Sequence, residues 1–284
     1  MARLVGATRR RADVRQNDHA EGSAQPTEVA RPVPSEGALS RATRRLLDIV
    51  VAIAVLIFSA PLLTIVGLLI RLDSPGPAIF RQERVGRNRR RVRDPHYRGP
   101  ERRVTRGFGP LFRLWKFRSM YIDARERFPE SYDYNHSPEA LQTLPMKALM
   151  GPRTMVRAHA LRGADPDHNV VYTPDPRVTR LGHWVRKTSI DELLNFWNVL
   201  KGEMTIVGPR PELPQQALLY KRHQLRKFDV KPGVTGLPQI RGLGALTFMQ
   251  TQELDLEYVE KRSLAYDWGI ILRTLKEALK GYGT

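Results

Sequence analysis

The sequence predicts an α/β protein that is helix-rich, irregular and associated with a membrane. Three observations lead to this prediction. The only charged residue in the hydrophobic run from Leu46 to Ile70 is Asp48, and the length of the run is typical of a membrane segment. The chain carries 47 Lys and Arg against 29 Asp and Glu, a net charge of +18 that attracts anionic surfaces and phosphates. Beyond the apolar run, short strand and helix patterns alternate with loops.

The absence of cysteine limits the possible chemistry. It excludes disulfide scaffolds, thiolate zinc sites, iron–sulfur clusters and cysteine nucleophiles. Any reaction must therefore use carboxylates, hydroxyls, histidine or basic groups.

Residues 1–40 are predicted to form a disordered basic tail. They contain Arg9-Arg10-Arg11 and three prolines, and their apolar residues are isolated, so neither a helical nor a strand period is present. We do not expect a secretory signal here, because these residues lack an apolar core.

Residues 41–75 are predicted to form a re-entrant membrane helix that bends at Pro61. Proline removes one helical hydrogen bond and crowds the preceding turn. Basic residues flank the apolar run on both sides, and the positive-inside rule favours the cytoplasmic side for both clusters. A helix that enters, bends and returns to the same face satisfies this rule. An ordinary transmembrane anchor is the alternative.

The segment from Arg81 to Arg118 is a basic surface. It contains fourteen Lys or Arg and three acidic residues. Beside a membrane helix, such a run indicates contact with anionic lipid headgroups. Nucleic acid would require interleaved aromatic platforms, and the arginine-rich part between residues 87 and 110 offers only Tyr97 and Phe108. We therefore expect an anionic membrane as a partner and no nucleic acid.

The alternation in Phe112–Arg118 predicts a strand with one basic face, formed by Arg113 and then, after a change of phase, by Lys116 and Arg118. Farther along, Ser189 and Glu192 have the spacing of a capping box, and Gly202 follows an amphipathic pattern. A helix capped at Ser189 is therefore predicted. This local role would explain the acidic first turn without any function.

The cationic neighbours of Asp191 and Glu192 favour a functional site instead. Arg186 and Lys187 precede the two carboxylates, and the rigid turn Gly208-Pro-Arg-Pro211 offers Arg210. Mg²⁺ prefers one or two carboxylates together with substrate phosphates. A carboxylate can also attack phosphorus directly and form an acyl phosphate.

A series of motifs in this chain resembles the bacterial sugar transferases, the monotopic polyprenyl-phosphate phosphoglycosyl transferases. The matching segments run in the family's order: Arg45-Leu-Leu-Asp48, Pro61, Ser74-Pro-Gly-Pro77, Phe80-Arg-Gln-Glu-Arg-Val-Gly86, Lys116-Phe-Arg-Ser-Met120, Asp175-Pro-Arg-Val-Thr-Arg-Leu-Gly182, Arg186-Lys-Thr-Ser-Ile-Asp-Glu-Leu193, Asn195-Phe-Trp-Asn-Val-Leu-Lys-Gly202, Val207-Gly-Pro-Arg-Pro211, Lys231-Pro-Gly-Val-Thr-Gly236 and Leu254-Asp-Leu-Glu-Tyr-Val259.

The resemblance implies transfer of a sugar 1-phosphate from a nucleoside diphosphate sugar, expected to be a UDP-sugar, to polyprenyl phosphate. Asp191 would be the nucleophile, with Glu192 beside it and Mg²⁺ held by both carboxylates. The residues Lys116, Arg118, Arg186 and Arg210 would bind substrate phosphates. The product would initiate assembly of a surface glycan at the cytoplasmic face of the bacterial inner membrane.

By the same resemblance, residues 76–284 would form a cytoplasmic catalytic domain with insertions near 89–106 and 121–172. The family's membrane helix often has Ser directly before the bending proline, whereas this chain has Ala60 there and Ser59 one position earlier. Two other functions remain to be distinguished: a non-catalytic basic membrane adaptor of a polysaccharide assembly complex, and a single-span nucleic-acid-binding protein.

Overall fold

The computed structural model of the protein describes residues 37–88, 109–129, 175–217, 220–242 and 245–279. The predicted tail lies outside the described residues except for its last four positions. The predicted insertion at 89–106 also lies outside them, as does the insertion at 121–172 beyond residue 129.

The described elements are mainly helical. The α-helices are α1 (Ala38–Asp73), α2 (Ala124–Arg127), α3 (Arg180–Lys187), α4 (Asn195–Lys201), α5 (Pro214–Ala217), α6 (Leu237–Ile240), α7 (Phe248–Lys261) and α8 (Leu264–Leu279). The strands are β1 (Ile79–Val85), β2 (Leu111–Phe117), β3 (Thr205–Val207) and β4 (Gly233–Thr235), and 3-10 helices span Ile190–Leu194 and Arg222–Asp229. The helix-rich prediction is confirmed.

Helix α1 contains the whole apolar run. It begins at Ala38, three residues before the predicted boundary, and continues through Pro61. Near the proline, the Ser59 hydroxyl donates a hydrogen bond to the Val55 carbonyl at 2.6 Å, and Thr64 donates to Ala60 at 2.9 Å. Hydroxyls that bond to the preceding turn in this way are often found where a helix bends. The bend and the re-entrant course stay predictions.

One side of α1 packs against the rest of the described chain. Its buried residues are Arg44, Asp48, Ala52, Val66 and Ile70. The opposite side exposes large apolar side chains along its length: Leu46, Val50, Ile53, Ile57, Phe58, Leu62, Ile65, Leu68, Leu69 and Leu72. By length and composition α1 could cross a membrane. An exposed apolar face of this size is typical of a surface that contacts a membrane or another protein.

Strands β1 and β2 form an antiparallel pair in which Lys116 stands opposite Phe80. Strand β2 is therefore confirmed, but its predicted single basic face is wrong. The alternation continues without a change of phase, so Lys116 shares a face with the buried Phe112 and Leu114, whereas Arg113 lies on the other face. Burial of the two apolar residues determines which way Lys116 points.

Strands β3 and β4 form a short parallel pair. Gly208, which follows β3, approaches Gly233, the first residue of β4, so closely that a Cβ on Gly233 would collide with the Gly208 nitrogen. Glycine is therefore required by close backbone approach. This contact determines where the turn that carries Arg210 begins.

The predicted single helix after residue 189 is two elements, a 3-10 turn and α4. The predicted cap is also wrong, because the Ser189 side chain makes no capping hydrogen bond. Ser189 instead has a left-handed backbone (φ 54°, ψ 19°) that links α3 to the 3-10 turn. The C-terminal prediction is confirmed, since Gly202 ends α4 with φ 77°.

Candidate active site

Asp191 and Glu192 lie in the first turn of the 3-10 helix Ile190–Leu194. Glu192 N donates to the Ser189 carbonyl at 3.0 Å, which closes the turn directly after the left-handed residue. Asp191 is 8% exposed. A non-glycine residue held at positive φ is strained, and such strain is common at functional sites.

Two cations from distant parts of the chain meet these carboxylates. Lys116 Nζ lies 3.5 Å from Asp191 Oδ2 and 3.6 Å from Glu192 Oε1. Arg210 Nη2 lies 3.6 Å from the same Glu192 oxygen. Strand β2 and the turn after β3 therefore bring Lys116 and Arg210 to the acidic pair, as a common site requires.

The pKa values of the two carboxylates are shifted in opposite directions. Burial raises the pKa of Asp191 above its usual value, an effect that Lys116 opposes and Glu192 reinforces. Burial would also raise the pKa of Glu192, but Arg210 and Lys116 outweigh it, so this pKa is lowered. Burial lowers the pKa of the Lys116 ammonium, although both carboxylates act in the opposite direction. Divergent pKa values in adjacent carboxyls are typical of sites where the two groups have different roles.

Arg186 lies at the end of α3, beside this site. Its Nε donates to the Ser119 hydroxyl at 2.9 Å, and its Nη1 lies 3.7 Å from Asp175 Oδ2. Its charge also acts to lower the pKa of Asp191. The Arg186 side chain is 40% exposed.

Arg118 has a different set of partners. Its guanidinium donates hydrogen bonds to the carbonyls of Ile70, Ser74 and Pro75, where α1 ends and the following turn begins. Cations are favoured at such carbonyl-rich helix ends. The phosphate-binding role of Arg118 stays a prediction, and these contacts favour a structural role in holding the end of α1.

The structure adds residues that sequence reasoning did not assign to the site. Arg177 donates from Nε to Asp175 Oδ1 at 2.9 Å and from Nη2 to Asp175 Oδ2 at 2.8 Å, and the same carboxylate also faces Arg186. Arg84 donates to the Pro211 carbonyl and acts electrostatically on Glu192. The opposite charges in Asp175-Pro-Arg177 could have indicated the Arg177–Asp175 pair from the sequence. No sequence feature near Arg84 indicates its contact with Pro211.

The chemistry of the site fits a divalent cation held partly by its substrate. Among the described residues no group of three or more His, Asp or Glu could hold a metal ion. Asp191 and Glu192 offer two carboxylates, and Mg²⁺ commonly takes one or two of these and completes its shell with phosphates and water. Both residues therefore fit such an ion once a phosphorylated substrate is present.

Residues 39–281 of the chain match the sequence model of the family described as "Bacterial sugar transferase". The galactosyl transferase CpsE of Streptococcus agalactiae is 36% identical over 241 residues, which cover 84% of this chain and 43% of the relative.

Two further relatives are named UDP-glucose:undecaprenyl-phosphate glucose-1-phosphate transferase. The one from Escherichia coli is 31% identical over 246 residues, covering 84% of this chain and 40% of the relative. The one from Caulobacter vibrioides is 32% identical over 246 residues, covering 83% of this chain and 69% of the relative. The chain thus spans about two fifths of the length of several relatives that it matches.

Proposed function

Because this chain belongs to the bacterial sugar transferase family, we propose that it transfers a sugar 1-phosphate from a UDP-sugar to undecaprenyl phosphate. The observation that supports this reaction is the arrangement of Asp191 and Glu192 between Lys116 and Arg210. Similar relatives are named for UDP-glucose and undecaprenyl phosphate. The lipid product would start assembly of a surface glycan.

The proposed reaction has two steps on one phosphorus atom. In the first, an Asp191 carboxylate oxygen bonds to the phosphorus that carries the sugar, and the bond to the bridging oxygen of the diphosphate breaks. UMP leaves, and the sugar phosphate remains on Asp191 as an acyl phosphate. In the second, a phosphate oxygen of the lipid attacks the same phosphorus, which releases the Asp191 carboxylate and forms the lipid diphosphate sugar.

The surrounding cations bind different phosphate groups in the proposed reaction. Lys116 and Arg210 face the charge that collects on the transferred phosphoryl oxygens. Arg186, being half-exposed beside Asp191, is placed to bind a second phosphate. Burial of Asp191 removes water from its carboxylate, which makes this oxygen a better nucleophile.

Asp191 and Glu192 would also hold Mg²⁺ when the nucleotide sugar binds. The ion would supply positive charge at the diphosphate. Glu192, whose pKa is lowered by Arg210 and Lys116, stays ionised and available as a ligand throughout the neutral range.

The packing of α1 supports a re-entrant course. Near its start, Asp48 accepts hydrogen bonds from Thr205 and from Ile206 N, both at 3.0 Å. Near its end, Val66 and Ile70 pack against the same domain. The helix between these contacts, residues 53–65, is about 20 Å long, whereas a bilayer core is about 30 Å thick. A helix held at both ends by one domain would dip into a single leaflet and keep the site beside lipid headgroups.

The test is release of UMP from a panel of UDP-sugars with undecaprenyl phosphate and Mg²⁺. The parent protein should release UMP, and Asp191→Asn should lower the rate by about 10³-fold or more, because it removes the nucleophile. Glu253→Gln, which replaces an exposed carboxylate on α7 with the corresponding amide outside the described ion pairs, is the matched control and should keep the parent rate.

Undiminished turnover by Asp191→Asn would refute the nucleophile assignment. The parent can be incubated without lipid and with a UDP-sugar that carries ³²P only at the phosphorus bonded to the sugar. This should leave label on the protein, and the absence of label would refute the covalent intermediate. A parent protein that binds anionic vesicles but releases no UMP from any sugar would favour the non-catalytic adaptor instead.

A further inference from the structure

Next to the turn that carries Arg210, four ionisable side chains are buried together. We call Lys227, Glu212, Asp255 and Tyr220 the Lys227 cluster; each is less than a tenth exposed. Lys227 Nζ lies 2.7 Å from Glu212 Oε1 and 2.7 Å from Asp255 Oδ2. It also donates a hydrogen bond to the Tyr220 hydroxyl at 3.2 Å.

Stability alone is a poor explanation for this cluster. Removing one ammonium and two carboxylates from water is costly, and apolar residues of similar size often stabilise a fold as well or better. Buried ion pairs of this kind can instead impose one specific arrangement on the segments that they join. The Lys227 cluster joins the 3-10 helix Arg222–Asp229, helix α7 and the segment after Arg210.

Glu212 connects the Lys227 cluster to the candidate active site through the chain itself. It is the second residue after Arg210, and Pro209 and Pro211 restrict the backbone on either side of that arginine. Before Arg210, the Pro209 carbonyl accepts a hydrogen bond from Gly233 N at 2.9 Å. The turn therefore has a fixed entry at strand β4.

The exit of the turn is held by strand β1 and by the Lys227 cluster. Val85 N donates to the Glu212 carbonyl at 3.0 Å, and Arg84 Nη1 donates to the Pro211 carbonyl at 3.0 Å. The Glu212 side chain then points to Lys227. Arg210 lies between these anchored ends and extends its own side chain to Glu192.

We propose that Glu212 and Lys227 are positioning residues that hold the Arg210 turn so that the Arg210 guanidinium faces Glu192 and the transferred phosphate. This role rests on the function proposed above. Neither residue touches the reacting atoms. Both act through Arg210, whose long side chain would otherwise sample many rotamers from a mobile turn.

The first variant is Glu212→Gln, which keeps the size of the side chain and removes its charge. It should lower kcat for UMP release by about tenfold, because even a small displacement of a charge-stabilising group weakens its contact with the transition state. KM for the UDP-sugar should change less than kcat. Glu212→Asp, which retains the charge, should recover part of the loss.

A double-mutant cycle separates positioning from a general structural effect. If Glu212 acts through Arg210, the Arg210→Ala/Glu212→Gln protein should be no slower than Arg210→Ala alone. If the two losses multiply, Glu212 acts independently of Arg210 and the proposal is overturned.

The matched control is Glu260→Gln. Glu260 pairs with Arg226 at 3.0 Å and joins the same 3-10 helix and α7, but its side chain is 45% exposed. This variant should retain the parent kcat. If Glu212→Gln proves insoluble, Glu212→Gln/Lys227→Met/Asp255→Asn removes all three charges of the Lys227 cluster, so that no buried charge is left unpaired, and it should show the same loss of kcat. Parent-like kcat in that protein would overturn the proposal.

A spin label makes the test independent of catalysis. Since the chain has no cysteine, Arg210→Cys can be labelled alone. The label should become more mobile when Glu212→Gln is added and stay unchanged when Glu260→Gln is added. Unchanged mobility with Glu212→Gln would overturn the positioning role, whereas a parent protein without turnover would refute only the proposed function.

Discussion

Lys116 shows how the role of a single residue depends on contacts that its neighbours in the chain do not specify. It extends from strand β2 beside buried apolar residues and ends between Asp191 and Glu192. Burial lowers the pKa of its ammonium below the usual value. Because a lysine loses its charge as the pH rises through its pKa, the site should lose a phosphate-binding cation at alkaline pH.

Replacing Lys116 with arginine should change the alkaline limb of the pH profile. In the parent, kcat/KM should fall at a pH below the usual lysine pKa of 10.5. In Lys116→Arg this limb should shift upward, because arginine keeps its charge to about pH 12. The measurement is kcat/KM for UMP release from pH 6 to 10. Lys201→Arg, an exposed change, should leave the limb in place, and an unshifted limb in Lys116→Arg would refute the assignment.

Arg118 gives the opposite lesson about the same segment. The sequence places it two residues after Lys116, and the family resemblance implied the same role for both. In the structure its guanidinium donates hydrogen bonds to the carbonyls of Ile70, Ser74 and Pro75. Which groups a long side chain reaches depends on the segments that fold around it. The end of α1 lies more than 40 residues before Arg118 in the chain, so the sequence around Arg118 did not indicate this contact.

Among the elements, the short 3-10 turn at Ile190–Leu194 determines how the acidic pair is presented. The capping pattern at Ser189 and Glu192 predicted a regular helix start, but Ser189 adopts a left-handed backbone instead. Local pattern rules apply to an isolated helix. Here only Thr188 and Ser189 separate the end of α3 from the 3-10 turn, and the left-handed backbone of Ser189 makes this short connection.

The left-handed backbone at position 189 predicts a selective mutational effect. Ser189→Val should destabilise the protein by about 1–2 kcal/mol, because a β-branched residue is disfavoured at positive φ. Ser189→Gly should be tolerated. Thermal unfolding measures the effect, and UMP release reports whether Asp191 has moved.

The adjacent substitution Thr188→Val is the control. Thr188 has an ordinary right-handed backbone (φ −90°, ψ −6°), and its exposed hydroxyl bonds only within α3 among the described contacts. It should cost about 0.5 kcal/mol or less, as surface changes usually do. Equal unfolding temperatures for Ser189→Val and Thr188→Val would show that the positive φ carries no cost.

For the whole molecule, the arrangement of α1 is the main consequence of the fold. Arg45 donates to the Val199 and Leu200 carbonyls near the start of α1, and Ile70 is buried near its end. One domain therefore contacts both ends, and the apolar face points away from it. The candidate site and the apolar face of α1 are consequently parts of the same described domain.

A re-entrant course predicts that both flanks of α1 lie on the same side of the membrane. Gly37→Cys precedes the helix in open space, and Glu126→Cys is exposed on α2. An impermeant thiol reagent should label neither in intact cells and both after permeabilisation. Labelling of Gly37→Cys alone in intact cells would indicate a spanning helix.

Periodic and compositional features were predictable because they depend on neighbouring residues. The apolar run, the basic charge, strand β2, the glycine end of α4 and the pairing of Asp191 with Glu192 belong to this class. The contacts between distant segments do not. Only the folded chain shows Lys116 and Arg210 at the acidic pair, Arg118 at the end of α1, and Lys227 buried between Glu212 and Asp255. Long charged side chains reach whichever partner the packing of the apolar core brings near, and that packing is a property of the whole molecule.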